Sequence, residues 1–453
     1  MTDDRTPRAA PQGRLTRMLR LGGLAGGIGG GALATGARQL ATGQRPRAQE
    51  MFMTPGNAAR LAGQLAQMRG AAMKMGQLIS MWAGDFLPPE LTQIMARLRA
   101  DADPMPPKQL QRALDAAWGE GWLRHFQRFQ VRPIAAASIG QVHRALTRDG
   151  RDLAIKVQYP GVRASIDSDI DNMALLMRIP GLLPPGVDLP PLIAEARAQL
   201  HAEADYAREA EQMRLYAANL AGCDEFLLPV PDDQFSTPDV LAMDFIDSRP
   251  IETLAEAPQP VRDRAATHLA QLVIEELFRF DLMQTDPNFA NYRWQPDDAH
   301  PSGGRIVLLD FGATRGFSAP VAPRYLALLR AALAGDREAI RDAAIAIGYF
   351  RADTDAAHQD MLMAMMDLAF APLRAGGVMD MGSSDIPRQV ADLAMQIAAP
   401  RARAEMPPPE ILFLHRKIGG LYLLLARLRA RVDLDALIRP DALDEMLRAR
   451  AQS

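Results

Sequence analysis

The sequence predicts an α+β protein of two lobes, in which a small lobe rich in β-strands precedes a larger lobe of helices. Three observations predict this fold class. The chain has 453 residues, which is more than one hydrophobic core usually organises. Short segments with strand-like patterning are concentrated between residues 126 and 157. Beyond residue 245, most of the chain shows the apolar spacing that is typical of helices.

Two segments precede the strands. Residues 1–50 are basic and rich in glycine, and residues 51–125 are predicted to form a helical extension. Pro88-Pro89 and residues 104–107 separate the helices of this extension, because proline lacks the amide proton that would continue a helix. Lys108–Trp118 is predicted as its last helix.

The small lobe is predicted to span residues 126–245 and the helical lobe residues 246–453. One long helix is expected inside the small lobe, over Leu192–Leu220. Asp149-Gly150 indicates a hairpin, because glycine accepts the positive φ that a tight turn needs. The strands are predicted at Phe126–Val131, Gln141–Leu146, Leu153–Val157, Val240–Phe245, Asn291–Trp294 and Ile306–Leu309.

Charge and composition exclude some classes of protein. The formal net charge of −3 does not suggest a nucleic-acid-binding protein. The single cysteine, Cys223, rules out an internal disulfide framework and fits a reducing compartment. Only four of the 51 basic residues are lysine. A functional site that needs an ammonium group, a compact charge on a flexible side chain, would have to use one of these four. These four are Lys74, Lys108, Lys156 and Lys417.

The N-terminal segment contains an uncharged stretch of 17 residues, Leu21–Ala37, in which eight residues are glycine. No run in the chain has the length of a confident transmembrane helix. Gly22, Gly26 and Gly30 recur at four-residue spacing, which would expose a smooth backbone face on a helix. Three interpretations stay open: a flexible linker, a helix that associates with membranes and with itself, and a cleaved transit peptide.

Residues 135–143, AAASIGQVH, have the place and length of a loop that folds over a phosphate chain. Such loops normally contain glycines, because the backbone must approach the phosphates closely. Here Ala135, Ala136 and Ala137 occupy those places, and only Gly140 remains. The alternative is a plain connection between two strands.

Lys156 ends the apolar strand LAIKV, thirteen residues after His143. A lysine at that place would reach the α- and β-phosphates of a nucleotide and would need a carboxylate to hold it. Glu203, Asp205 and Glu209, in EADYAREAE, are the candidate carboxylates. The alternative is a lysine at a strand end with its ammonium group in water.

A second constellation lies in the helical lobe. Asp286 and Asn291 lie five residues apart in DPNFAN, and Asp310 begins DFG after a hairpin. Phosphoryl transfer needs a carboxylate near the attacking oxygen and two oxygen ligands for Mg²⁺. The three residues fit those roles in that order. Together with the AIK strand upstream, they predict ATP and Mg²⁺ as cofactors and a bilobal protein-kinase-like fold.

Two features of kinases that phosphorylate proteins are missing from the sequence. Met283-Gln284-Thr285 precedes Asp286 where a His-Arg pair would stand, so there is no obvious receptor for an activation-loop phosphate. After Gly312 the chain leads quickly into a helix. A protein substrate would therefore have little surface on which to dock.

Lys74 and Gln77 lie in the extension, where no other charge occurs between Arg69 and Asp85. Their three-residue spacing places them on the same side of a helix. A lysine and an amide on an otherwise apolar helix favour a buried polar destination, because leaving them unpaired is costly. The alternative is a lysine that extends to the surface along its apolar stem.

These motifs together resemble the UbiB family of atypical protein-kinase-like proteins, also called aarF-domain kinases. The similarity is greatest to the mitochondrial and α-proteobacterial branch that supports coenzyme Q (ubiquinone) biosynthesis. It extends over about residues 14–435. The stretches that carry it are GGLAGGIGGGALA, KMGQ, AAASIGQVH, AIKVQYPGV, EADYAREA, FDLMQTDPNFANY, LLDFGATR and PPPEILFLHRKIGG.

The resemblance implies that the alanine-rich loop replaces a glycine-rich one and that the helical extension folds across the active site as a lid. It implies that Lys74 and Gln77 belong to this lid, that Glu203 and Asp205 are its acidic counterpart, and that Glu209 is the partner of Lys156. The candidate catalytic residues are thus Asp286, Lys156, Lys74 and Gln77. The candidate nucleotide-binding residues are Ala135, Ala136, Ala137, Ser138, Lys156, Glu203, Asp205, Glu209, Met243 and Phe245, and the candidate Mg²⁺ ligands are Asn291 and Asp310.

The implied function is that of an ATP- and Mg²⁺-dependent kinase-like ATPase supporting ubiquinone biosynthesis at a membrane. The expected partners are ATP or ADP, membrane lipids, polyprenyl quinone precursors, the biosynthetic enzymes and a second copy in a homodimer, but no nucleic acid. The expected location is the cytoplasmic face of the bacterial inner membrane, or the mitochondrial inner membrane. Two alternatives are a kinase for a small molecule or lipid and a non-catalytic, nucleotide-gated lipid-binding scaffold.

Overall fold

A computed structural model of the chain describes residues 105–137, 139–177, 189–386, 388–389 and 407–452. Within these limits, residues 105–211 and 230–245 belong to a first compact unit, and residues 212–229 and 246–452 to a second. The segment 1–50, the extension as far as residue 104 with Lys74 and Gln77, and Ser138 lie outside the described residues.

The helices are numbered in chain order. Helices α1, α5, α9 and α11 each carry a proline in the first turn, where its missing amide proton leaves no helical hydrogen bond unmade. The described helices are α1 (Pro107–Trp118), α2 (Val162–Met177), α3 (Leu189–Glu203), α4 (Tyr206–Asn219), α5 (Gln259–Glu275), α6 (Val321–Ala334), α7 (Arg337–Ile347), α8 (Ala356–Ala375), α9 (Pro409–Arg427), α10 (Leu434–Leu437) and α11 (Pro440–Arg450).

The strands are numbered in the same way. The described strands are β1 (Phe126–Phe129), β2 (Ala135–Ala136), β3 (Gly140–Thr147), β4 (Asp152–Gln158), β5 (Phe226–Leu227), β6 (Val240–Asp244), β7 (Arg249–Pro250), β8 (Met283–Gln284), β9 (Tyr292–Pro296), β10 (Gly304–Leu308), β11 (Thr314–Arg315), β12 (Val378–Asp380) and β13 (Arg431–Asp433).

The first unit is built on a five-stranded sheet of order β1-β3-β4-β6, with β2 paired to β3. The turn at Asp149-Gly150 joins β3 to β4 as predicted, and Gly150 has φ +91°. Strand β4 lies between β3 and β6 and is buried along almost its whole length. Helix α1 packs its apolar side chains, among them Leu110 and Leu114, against this sheet in the core of the unit.

The prediction of one long helix over Leu192–Leu220 is wrong, because the structure has two helices there, α3 and α4. The interruption lies at Ala204-Asp205. The Asp205 carboxylate accepts a hydrogen bond from the backbone nitrogen of Arg208 over 3.0 Å, as an N-terminal helix cap does. Asp205 therefore begins a new helix instead of continuing the old one.

The second unit has a four-stranded sheet of order β5-β10-β9-β7 and an extensive helical core. Strands β9 and β10 are antiparallel and confirm the predicted hairpin around the polar loop. The core cluster joins helices α5, α6, α7, α8 and α9 through residues such as Val273, Leu326, Ile340, Met363 and Leu414. The short strands β5, β7, β8, β11, β12 and β13 were not predicted, because two or three residues show no hydrophobic periodicity.

Candidate functional site

The alanine-rich stretch forms the end of a β-hairpin in the first unit. Strand β2, Ala135–Ala136, pairs antiparallel with the beginning of β3. The backbone nitrogen of Ala137 donates to the carbonyl oxygen of Gly140 over 2.9 Å and closes a tight turn. Both β2 alanines are exposed. Ala135 and Ala136 thus form a short strand, and their methyl groups lie at the surface of this unit.

Gly140, the glycine that remains in this stretch, is required by close packing. A Cβ atom there would lie 2.3 Å from the carbonyl oxygen of Val157 and 3.1 Å from the Tyr206 hydroxyl. Interiors packed this tightly have no room for an added methyl group beside a backbone oxygen. Any larger residue at position 140 would therefore displace β4 or the start of α4.

Lys156 of β4 is held by Glu209 of α4. Its ammonium nitrogen Nζ donates to both Glu209 carboxylate oxygens over 2.8 Å. Glu209 is 1% exposed and Lys156 is 9% exposed. Of the three carboxylates that the sequence left open as partners, the structure therefore brings Glu209 to the lysine.

Glu203 and Asp205 lie at the junction of α3 and α4. Glu203 is the last residue of α3, and Asp205 caps α4 through the backbone nitrogen of Arg208. The nearby amide of Gln158 donates to the carbonyl oxygen of Ala204 over 2.8 Å, which ties the junction to the end of β4. The predicted counterpart of these acids, the segment with Lys74, lies outside the described residues.

Met243 and Phe245 lie in and just beyond β6. Met243 is opposite Ala154 of β4 and is 6% exposed, so it belongs to the core of the unit. The ring of Phe245 lies 3.9 Å from the guanidinium carbon of Arg144, in a cation–π contact. Their predicted contact with a nucleotide stays a prediction.

Gln141 and His143, which end the alanine-rich stretch, form a buried chain of hydrogen bonds to which the sequence assigned no role. The Gln141 side chain accepts from the backbone nitrogen of Met105, and its Nε2 lies 2.8 Å from His143 Nε2. His143 Nδ1 lies 2.8 Å from the carbonyl oxygen of Gln130. An amide nitrogen only donates, so this ring carries its proton on Nδ1. Burial lowers the pKa of His143, which keeps the ring neutral.

In the second unit, hydrogen bonds connect the segments that carry Asp286, Asn291 and Asp310. The Asn291 side-chain nitrogen donates to the carbonyl oxygen of Asp286 over 3.2 Å. The Asn291 carbonyl oxygen accepts from the backbone nitrogen of Leu309 over 3.1 Å, next to Asp310. The Asp310 carboxylate accepts from the backbone nitrogen of Gly312 over 3.0 Å. Two loops, one before β9 and one after β10, therefore present an acid, an amide and a second acid.

These side chains suit Mg²⁺ bound with a nucleotide. Mg²⁺ is usually held by one or two carboxylates together with phosphate oxygens and water. Asp310 supplies a carboxylate oxygen and Asn291 an amide carbonyl oxygen as candidate ligands. Within the described ranges, no group of three or more His, Cys, Asp and Glu side chains is arranged to hold a metal by itself. The donors present thus fit a magnesium ion completed by phosphates.

Arg416 is a residue of this region to which the sequence assigned no role. It lies on α9, and its guanidinium donates to the Asp286 carboxylate over 2.9 Å. The two side chains are 18% and 20% exposed, so they are only partly accessible to water. A signal was present in the sequence, since HRK occurs in the stretch PPPEILFLHRKIGG. A separation of 130 residues hides the contact from sequence reasoning.

The sheet-based first unit, the helical second unit and the two sets of polar residues define a protein of the kinase-like class. Residues 97–344 match the sequence profile of a family described as the ABC1 atypical kinase-like domain. This match covers more than half of the chain, and the chain belongs to the ABC1 atypical kinase-like family.

Several curated relatives are similar over nearly the whole chain. The atypical kinase coq-8 of Caenorhabditis elegans is 36% identical over 435 residues, which are 94% of this chain and 56% of that protein. The atypical kinase COQ8B of Rattus norvegicus is 33% identical over 95% of this chain and 81% of its own length. The atypical kinase COQ8 of Saccharomyces cerevisiae is 33% identical, with coverages of 94% and 84%. All three are described as mitochondrial.

Among solved structures, the complex of Rv3197 with erythromycin from Mycobacterium tuberculosis is similar to this chain. The TM-score is 0.58 at 26% sequence identity, with coverage of 84% of this chain and 94% of that one. The two chains therefore share a fold over most of their lengths. None of the helices in the described part of the chain is long and apolar enough to cross a membrane.

Proposed function

We propose that this protein is an atypical kinase-like ATPase that binds ATP with Mg²⁺ and supports ubiquinone biosynthesis at a membrane. In this proposal Lys156, oriented by Glu209, contacts the α- and β-phosphates. Asn291 and Asp310 hold Mg²⁺, and Asp286 orients the attacking oxygen. Mg²⁺ would neutralise charge that develops on the phosphates.

The observation that supports this proposal most is the buried ion pair between Lys156 and Glu209. Removing two charges from water is costly, so such a pair is seldom retained for stability alone. A lysine fixed by a carboxylate at the end of a strand is the element that orients nucleotide phosphates in kinase-like proteins.

The link to ubiquinone rests on the relatives. They are named as atypical kinases of the COQ8 group, and this chain is similar to them over 94% or more of its length. Polyprenyl quinone precursors partition into membranes, so an ATPase that assists their conversion must work at a lipid surface. The basic segment 1–50 is the proposed membrane contact.

The test is phosphate release from ATP by the purified chain as Mg²⁺ is titrated. Asp310→Asn removes the carboxylate charge with little change of shape and should lower kcat/KM by about 100-fold. Asp298→Asn, an equivalent change in the exposed loop between β9 and β10, should leave turnover unchanged. Near-normal turnover by folded Asp310→Asn would contradict the assignment.

The biological role is tested in a strain that lacks the gene. Wild-type chain and Asp298→Asn should restore ubiquinone and remove its accumulated precursors, and Asp310→Asn should do neither. Normal quinone profiles in the deletion strain would refute the role in this pathway.

A kinase acting on a small molecule or lipid is the second candidate, because Asp286 stands where an acceptor hydroxyl would need a base. Incubation with γ-labelled ATP and a lipid extract separates the two activities. An ATPase releases the label as inorganic phosphate, whereas a lipid kinase transfers it to an organic product. Binding of ATP without any transfer would favour the non-catalytic scaffold.

A further inference from the structure

Lys417 is one of four lysines in the chain, and neither the sequence patterns nor the proposed function accounts for it. It lies on α9 and is 2% exposed. Its Nζ lies 3.2 Å from Glu276 Oε1, 2.8 Å from the carbonyl oxygen of Gln284 and 3.0 Å from the Tyr292 hydroxyl oxygen. The three hydrogen-bonding positions of the ammonium group therefore each have an acceptor.

Two of these acceptors flank the loop that contains Asp286 and Asn291. Gln284 precedes Asp286 by two residues, and Tyr292 follows Asn291 directly. One ammonium group thus contacts the chain both before and after the loop. Since an ammonium ion is compact and fully hydrogen-bonded here, its contacts limit how far the two ends of the loop can separate.

Glu276 supplies the charge that allows this lysine to be buried. It is fully buried itself, and its Oε1 also accepts from the Tyr216 hydroxyl over 2.7 Å and from the backbone nitrogen of Gln284 over 3.2 Å. Lys417 and Glu276 therefore both form a hydrogen bond with the backbone of Gln284, at the start of the loop. A buried ion pair adds little net stability compared with an apolar pair of the same volume, so its geometry is the more informative property.

Gly420 extends this contact one helical turn further along α9. A Cβ atom at this position would lie 2.2 Å from Pro287 Cβ and 2.5 Å from Pro287 Cγ. Lys417 and Gly420 are three residues apart and lie on the same face of the helix. This face of α9 is therefore fitted closely to the loop at Gln284 and at Pro287.

We propose that Lys417 is a positioning residue: by holding the two ends of the loop that carries Asp286 and Asn291, it keeps Asn291 in place to bind magnesium together with Asp310. Gly420 assists by letting α9 approach Pro287. This role rests on the nucleotide- and magnesium-dependent activity proposed above. Arginine cannot replace the lysine, because its planar guanidinium is larger and cannot donate to three acceptors arranged around a point.

The test compares the Mg²⁺ concentration at half-maximal ATP turnover for wild-type chain, Lys417→Arg and Gly420→Ala, each verified as folded by circular dichroism and thermal unfolding. Disturbing a group that orients metal ligands typically weakens metal affinity about 10-fold or more. Both variants should therefore need about 10-fold more Mg²⁺. The matched control is Leu414→Ala, a buried core residue on the same helix, which should lower Tm without changing the half-maximal Mg²⁺ concentration.

Lys417→Met leaves Glu276 buried without its cation, so it is paired with the double variant Lys417→Met/Glu276→Gln. The double variant leaves no charge uncompensated and should regain the Tm that the single variant loses. It should still need about 10-fold more Mg²⁺, since the bridge across the loop is absent. Where the single variant does not fold, the double variant decides.

The outcomes separate this role from the proposed function. Absence of Mg²⁺-dependent turnover or nucleotide binding in the wild-type chain refutes the proposed function and the role of Lys417 with it. An active wild-type chain whose folded Lys417 and Gly420 variants keep the wild-type Mg²⁺ dependence overturns the positioning role alone. If Leu414→Ala raises the half-maximal Mg²⁺ concentration as much as the Lys417 and Gly420 variants do, any loss of stability weakens magnesium binding. That result also overturns the positioning role.

Discussion

The ion pair between Lys156 and Glu209 differs from the exposed pairs of the same unit. Arg197 and Asp167 are 33% and 56% exposed, and a pair of that kind contributes up to about 1 kcal/mol. Removing one partner of the buried pair would leave a charge without compensation, at about 3–5 kcal/mol. Replacing both by apolar residues would cost far less. The buried pair thus determines where an ammonium group stands more than it determines stability.

His415 is a second residue whose surroundings decide its chemistry. Its ring stacks on Tyr349 with centroids 5.2 Å apart, and its Nε2 contacts the hydroxyl groups of Tyr349 and Tyr325. Burial lowers the pKa of His415 to about 4. The imidazole is therefore neutral in the folded protein at pH values where an unfolded chain would already be protonated.

His415 should make the protein less stable in mild acid. The unfolded histidine takes up a proton near pH 6.5 and the folded one only near pH 4, so acidification through this window favours unfolding. The contribution is up to about 3 kcal/mol at the low end of the window. Denaturant unfolding at pH 7.5, 6.0 and 4.5 measures it.

The comparison is with His415→Phe, which keeps an aromatic ring at this position but cannot bind a proton. Its free energy of unfolding should approach or exceed that of wild type as the pH falls. A constant difference between the two proteins from pH 7.5 to 4.5 would show that His415 titrates normally.

At the scale of elements, the junction between α3 and α4 is the feature that periodicity could not predict. The residues 192–220 have continuous helical patterning, yet Asp205 caps a new helix through the backbone nitrogen of Arg208. Capping uses a local hydrogen bond that leaves the spacing of apolar residues unchanged. As a consequence, Glu209 lies in the first turn of α4, where its carboxylate forms the ion pair with Lys156.

Asp205→Ala should lower the free energy of unfolding by about 1 kcal/mol, because the cap is lost. Asp205→Asn keeps a capping side-chain oxygen and should retain most of the stability. The measurement is denaturant unfolding of both variants beside wild type, with ATP binding measured on the same samples.

The pair of variants also tests the predicted acidic role of Asp205. If Asp205→Asn is stable but changes ATP binding, the charge matters beyond the cap. Equal losses of stability in both variants would mean that the carboxylate does not act as a cap.

At the scale of the whole molecule, the chain consists of two units with separate cores. The first core contains Leu114, Phe126 and Ile155, and the second contains Val273, Leu326 and Leu414. Both units carry residues proposed to act on one nucleotide. The similarity to the curated relatives extends over both units.

Removal of residues 1–40 should abolish sedimentation with anionic liposomes and leave ATP binding unchanged. The segment carries most of the basic charge of the first 50 residues and the glycine-rich stretch, and each basic residue near an anionic surface contributes about 1 kcal/mol. Co-sedimentation at two salt concentrations measures the effect.

A matched variant keeps the glycine-rich stretch and changes five arginines of the segment to glutamine. These are Arg5, Arg8, Arg14, Arg17 and Arg20. Weaker and less salt-dependent binding is expected of it, because Arg38, Arg45 and Arg47 are the only basic residues left in residues 1–50 beside the apolar contribution. If the truncated chain still sediments fully with the liposomes, membrane contact lies elsewhere.

The candidate residues could be predicted from sequence where chemistry and spacing coincide. Asp286, Asn291 and Asp310 stood out because an acid, an amide and a second acid occur around a short hairpin, and that hairpin is local. Lys156 stood out because lysine is rare in the chain. The hairpin at Asp149-Gly150 and helix α1 could also be predicted, because the residues that indicate them lie within a few positions of one another.

The sequence by itself determined the α+β class, the strand-rich and helical parts and the residue types of the site, because these follow from periodicity and composition over short windows. The structure confirmed Glu209, which the family resemblance had implied, as the partner of Lys156 among three candidate carboxylates. Only the tertiary structure decided that Arg416 reaches Asp286 and that Lys417 is buried against Glu276. These contacts join residues 53 to 141 positions apart. No local pattern encodes such contacts, because they depend on how whole helices pack and on which buried charges must find a partner.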